Sequence, residues 1–130
     1  MNRGIYGYPK QADIALGSSG GEERLSKQYV TGRILLDPHV ANCYDLTLLT
    51  NATFEFGKTM PNVLCSLFVI IRQDATGSRT LTWPAASILK WTGGSAATAS
   101  TAASSIDAYS FFTVDGGVTW HGAQVGKGFA

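Results

Sequence analysis

The stretch Ile106-Asp107-Ala108-Tyr109-Ser110-Phe111-Phe112-Thr113-Val114-Asp115-Gly116-Gly117-Val118-Thr119-Trp120-His121-Gly122 decides the fold class. Aromatic and β-branched residues flank Asp115-Gly116-Gly117, and a short Asp-Gly turn matches the natural twist of two paired strands. A hairpin is therefore expected, joining strands at about 106 to 114 and 118 to 125. Alternation along the first strand sets Tyr109 and Phe111 on one side and Ala108, Ser110 and Phe112 on the other. Both faces then carry a ring, and one sheet face is expected to meet another subunit. Tyr109 and Phe111 are assigned to that interface, while Trp83, Trp91 and Trp120 read mainly as core, where large rings stabilise a small β-domain.

The same grammar continues outward. From Arg33 on, short runs rich in Val, Ile, Leu, Phe, Tyr, Trp and Thr alternate with turn clusters, which is how antiparallel β-structure is written. Seven or eight strands are expected, at about 33 to 36, 44 to 50, 52 to 56, 63 to 73, 79 to 83, 87 to 91, 106 to 114 and 118 to 125. Asp37-Pro38, the segment around Pro61, Asp74-Ala75-Thr76-Gly77-Ser78 and Pro84 punctuate them. Tyr44, Leu46 and Leu48 share one side of their strand against Asp45 and Thr47, and Phe54 and Phe56 flank an outward Glu55. Residues 63 to 71 are almost continuously apolar, so this strand is expected to be central and covered on both faces, by the opposing sheet on one and by a partner subunit or the N-terminal arm on the other. The uncharged, Ala-, Ser- and Thr-rich segment 92 to 104 reads as a long surface loop. The fold class is all-β: a β-sandwich, jelly-roll-like, at residues 33–130.

Residues 1–32 read as an extended N-terminal arm. They hold Pro9, the run Gly17-Ser18-Ser19-Gly20-Gly21 and scattered apolar side chains, with a short helix conceivable at 22 to 30. Two readings stand for the arm: a loose tail, or a segment that orders on a neighbouring chain or surface. The second places Ile5, Tyr6, Tyr8, Ile14 and Leu16 in an interface, since they would be costly to leave wet. The amino terminus lacks the apolar core of a signal peptide, and no stretch reaches the ~20 apolar residues that span a bilayer. Assembly in the cytoplasm is expected, with no membrane partner.

Composition narrows function by exclusion. In 130 residues, ten Lys and Arg against nine Asp and Glu leave a net charge of +1, and charged residues make up 15%. That is well below the ~25% of ordinary soluble proteins and offers no field to gather nucleic acid or anionic lipid. After residue 40, Lys58, Arg72, Arg79, Lys90 and Lys127 are offset by Asp45, Glu55, Asp74, Asp107 and Asp115. His39 and His121 have no second ligand type at metal-binding spacing, and Cys43 and Cys65 lack the close pairing of a zinc or redox motif. No Gly-x-Ser-x-Gly elbow, phosphate loop or glycosidase carboxylate pair stands out. Asp74 and Asp115 open turns and read as residues bonding their own backbone. No enzyme, cofactor or metal is expected, and no nucleic acid.

Arg72-Gln73-Asp74-Ala75-Thr76-Gly77-Ser78-Arg79-Thr80-Leu81-Thr82-Trp83-Pro84, then Ile88-Leu89-Lys90-Trp91, Phe111-Phe112-Thr113-Val114-Asp115-Gly116-Gly117-Val118-Thr119-Trp120-His121-Gly122 and the closing Gly126-Lys127-Gly128-Phe129-Ala130 resemble a module of tailed-bacteriophage virion proteins. The likeness covers roughly residues 40 to 130, with His121 where a Tyr is common. It implies a β-rich structural module on heads, fibres or tail tips. The expectation drawn from it is a capsid decoration, or cement, protein: a homotrimer bound to the major capsid protein on the outer surface of the virion head. The alternative is a fibre or tail-tip module in which loop 92 to 104 and the turn at 115 to 117 face a host glycan or protein.

Overall fold

Alternating apolar and polar positions put most of the chain into strands. The structure, a computed structural model, describes residues 24–130. Its elements are β1 (Leu25–Leu36), β2 (Cys43–Phe56), β3 (Pro61–Gln73), β4 (Leu81–Thr82), β5 (Leu89–Trp91), a 3-10 turn (Thr92–Gly94), β6 (Ile106–Asp115) and β7 (Trp120–Phe129). All seven strands belong to one sheet in the order β1-β2-β3-β6-β7-β5, with β4 beside the second half of β2.

The pairings β3–β6 and β6–β7 are antiparallel, the second being the hairpin expected at Asp115-Gly116-Gly117. The pairings β1–β2, β2–β3, β2–β4 and β5–β7 are parallel, which corrects the expectation of antiparallel strands throughout. Parallel neighbours ordinarily need a crossover of a dozen or more residues, whereas only residues 37–42 join β1 to β2. A link that short reaches ~25 Å at most, and a straight strand of β1's length would run ~40 Å. Since Leu25 lies opposite Cys43, β1 has to bend. The register slips between Val30 and Gly32, and Gly32 takes a φ of 101°, which an L side chain resists. The chain thus winds: Leu25 faces Cys43, eighteen residues on, and Gly32 faces Ala52, twenty residues on.

Winding brings two parts of the sheet face to face. Phe56, at the end of β2, stacks on Trp120 of β7 (4.8 Å between ring centroids) and meets Phe111 of β6 edge-on (5.1 Å), although β2 pairs with neither strand. This sandwich-like, all-β packing encloses Leu36, Leu46, Leu48, Val69, Tyr109, Phe111 and Trp120, all fully buried. Trp83 stacks on Phe54 at 4.4 Å, and Trp83 and Trp91 pack half-buried against the same core.

Several boundaries move. The expected strands at 44 to 50 and 52 to 56 are one strand, because Asn51 makes no turn and instead accepts the Thr80 N–H on its side chain at 2.9 Å. Residues 25–32, read as arm and in part as helix, are the first two thirds of β1, with Val30 in the core. Segment 92 to 104 contains no strand, as expected, but it is pinned rather than loose. Gln73 and Asp107, both buried, take Ser100 from two sides: the Gln73 side chain donates to its carbonyl (3.1 Å), and the Asp107 carboxylate accepts its N–H (2.7 Å).

Candidate interaction surface

The residues that carry the sequence resemblance hold loops. The Gln73 amide donates to the Arg79 carbonyl and accepts the Arg79 N–H, each at 2.9 Å. Asp74 accepts the N–H groups of Thr76 (3.2 Å) and Gly77 (3.0 Å) and pairs with the Arg79 guanidinium at 2.7 Å. That guanidinium, with the two N–H groups, holds the Asp74 carboxyl below its ordinary value. Gly77 is required here: its φ is +75°, and a Cβ would stand 2.7 Å from the Ala103 nitrogen. The hairpin turn is built the same way. Asp115 accepts the Thr119 N–H at 2.9 Å, which depresses its carboxyl, and fully buried Thr113 donates to the Thr119 carbonyl at 2.7 Å while accepting the Gly117 N–H at 3.1 Å.

Tyr109 and Phe111 point the other way from the surface assigned to them. Both are fully buried inside this chain, so they present nothing to a partner. Burial pushes the Tyr109 hydroxyl up to about 12. The ring on the opposite side of β6, Phe112, is 44% exposed. Ile5, Tyr6, Tyr8, Ile14 and Leu16 lie outside the described residues.

The surface that β6 shows to solvent continues across the sheet. On β3, Leu67, Val69 and Ile71 go inward, while Leu64 (68% exposed) and Phe68 (37%) go outward, so among the described residues cover comes to one face of this strand, and the arm expected as one possible cover for the other lies outside them. The register sets Phe68 beside Cys43 and Ser110, Cys43 beside Leu25, Ser110 beside Ala123, and Phe112 between Ser66 and His121. The His121 ring stacks on Phe112 at 4.8 Å. Val114 and Val125 are exposed, and the Phe129 ring lies over Gly126 beside Ala108. The charged residues on this face are Lys27, opposite Asp45; Arg72, opposite Thr47 and one same-face step along from Asp45; and exposed Lys90, opposite His121. Arg72 forks onto buried Asp45 with contacts of 2.6 and 3.1 Å. Cys43 belongs to this outer face and Cys65, by its spacing from Leu67 and Val69, to the inner one, so their Cβ vectors diverge and a bridge between them is ruled out.

Sequence reading missed Leu25, Leu64, Phe68, Phe112 and Val114 as a set. The available signal was the near-continuous apolar run at 63 to 71, whose even-numbered members have no use in the core.

Two concavities border the sheet. One of about 580 Å³ is lined by Trp83, Pro84, Lys90 and Trp91. The other, of about 420 Å³, lies between Trp91, Phe112, His121 and Val125. Among the described residues, no group of three or more His, Cys, Asp and Glu side chains gathers as a metal site, and no helix is long and apolar enough to cross a membrane. No family model matches the chain, and neither a curated protein nor a solved structure matches it.

Proposed function

We propose that this chain is a bacteriophage capsid decoration protein, a homotrimer that lies on the outside of the head against the major capsid protein and stabilises the shell mechanically. The observation that carries this reading is the outer sheet face, a wide and mostly apolar surface that the described residues leave uncovered. Exposed apolar surface of this extent marks a contact with another macromolecule. The resemblance of the 72–84 and 111–122 stretches to virion modules supplies the setting. Many modest contacts repeated over a shell add up to firm attachment.

The test is addition of the purified full chain to undecorated heads. The expected outcome is saturable attachment, with copy number following the number of capsid subunits and higher thermal resistance of the heads. A chain deleted of residues 1–23 keeps every described strand; if the segment secures the shell contact, this variant folds and trimerises but attaches poorly. Absence of the protein from head shells of intact particles would overturn the reading.

A fibre or tail-tip role is the second reading, favoured by the 580 Å³ concavity with its two half-buried tryptophans. Aromatic-lined clefts of this size suit small ligands such as sugar rings. A few copies per particle, placed at the tail, would select it.

A further inference from the structure

We infer that the outer face of the sheet, centred on Leu64, Phe68, Phe112 and Val114 with Leu25 beside them, is where one copy of this chain meets another. The inference rests on the homotrimer in the reading above and names the surface that forms it.

Extent is the first argument. These five side chains are between 37% and 68% exposed, and Val125 and Phe129 add 56% and 54%. Together their exposed apolar surface is of the same order as the ~800 Å² that each partner gives to a standard interface, and it exceeds the patch an ordinary monomer leaves in water.

Charge is the second. The apolar block carries none, and beside it Asp45 is joined to Arg72 within the chain. A capsid subunit bearing charge finds no complement in this block. A second copy meets no like charge within the block itself, and the exposed Lys27 and Lys90 lie at its margins. Three such faces turned toward a common axis would each cover the apolar row of the next, which closes the assembly.

Sedimentation velocity on the full chain tests this, using Phe112→Lys, Leu64→Lys and Ser66→Glu, with Val40→Lys as control. Ser66 is exposed on the same face and removes no packing, so its variant remains informative if the larger changes disturb folding. Val40 is 59% exposed in the loop after β1. Circular dichroism establishes that each variant is folded. The expected result is an oligomeric wild type and control, with the dissociation constant raised at least tenfold in the three face variants. A monomeric wild type, or face variants that stay oligomeric, would overturn the inference. Head attachment measured in parallel separates the two proposals. Face variants that remain trimeric but no longer attach would assign this face to the shell, sinking the inference and leaving the decoration reading standing. Variants that fall to monomers, from a wild type that never attaches to heads, would leave the inference standing and sink the decoration reading.

Discussion

Thr113 shows how a single hydroxyl holds a turn. It is fully buried, donates to the Thr119 carbonyl and accepts the Gly117 N–H. Thr113→Val keeps the shape and strands both partners, so it is expected to cost about 1–3 kcal/mol, read as a lower midpoint in denaturant with an unchanged slope. Asp74 and Asp115 act through charge. Both carboxyls are held below their ordinary 3.8, by the Arg79 pair in one and the Thr119 N–H in the other. A carboxyl depressed in the folded state contributes stability that is present above the unfolded value and lost as pH falls through the folded one. The thermal midpoint is therefore expected to drop as pH is lowered through 3.8. Asp74→Asn combined with Asp115→Asn is expected to lower the midpoint at neutral pH and flatten that acid limb. An acid limb as steep in the double variant as in the wild type would show that other groups carry it.

At the scale of elements, the return from β1 to β2 is the joint on which the winding depends. Asp37 accepts the Val40 and Ala41 N–H groups on its carbonyl, and the Tyr44 hydroxyl donates to that same carbonyl at 2.8 Å while accepting the Asp37 N–H at 2.9 Å. Burial raises the Tyr44 hydroxyl above its ordinary value, so it stays protonated and able to donate. Tyr44→Phe leaves the Asp37 N–H without its acceptor and is expected to destabilise the fold by about 1–3 kcal/mol, with faster hydrogen exchange in residues 37–44. The first half of β1 provides a second check. Deleting residues 1–30 removes the Leu25 to Val30 partners of β2 along with a core side chain. That variant is expected to melt well below the one lacking residues 1–23, by differential scanning calorimetry. Equal melting temperatures would mean that this half of β1 adds nothing to the sheet.

For the whole molecule, the arrangement separates two tasks. The inner face, with its stacked rings, holds the fold; the outer face is left open by the described residues. That division explains why the stretches resembling virion modules turn out to be structural pins. Gln73, Asp74, Gly77 and Arg79 close one loop; Thr113, Asp115, Gly117 and Thr119 close another; and Trp83, Trp91 and Trp120 fill or border the core. A scaffold held this way tolerates change on its outer face, which is where specificity for a neighbour would reside. Substitutions such as Ser66→Glu are accordingly expected to alter association with little effect on the melting temperature.

By itself, the sequence determined what is local. Period-two alternation assigned most of the strands and the inward sides of β2, though not the start of β1, and Asp and Gly residues placed the turns after Gln73 and Val114. Strand direction was beyond its reach, because parallel and antiparallel strands alternate alike and a six-residue link reads as a hairpin until the bend of β1 is known. Which ring of β6 faces outward was equally hidden. Both sides of that strand are apolar, and only the arrival of Phe56 and Trp83 against Tyr109 and Phe111 decided the matter. Those meetings join residues far apart in the chain, and burial is a property of what comes to lie opposite, which no single stretch of sequence contains.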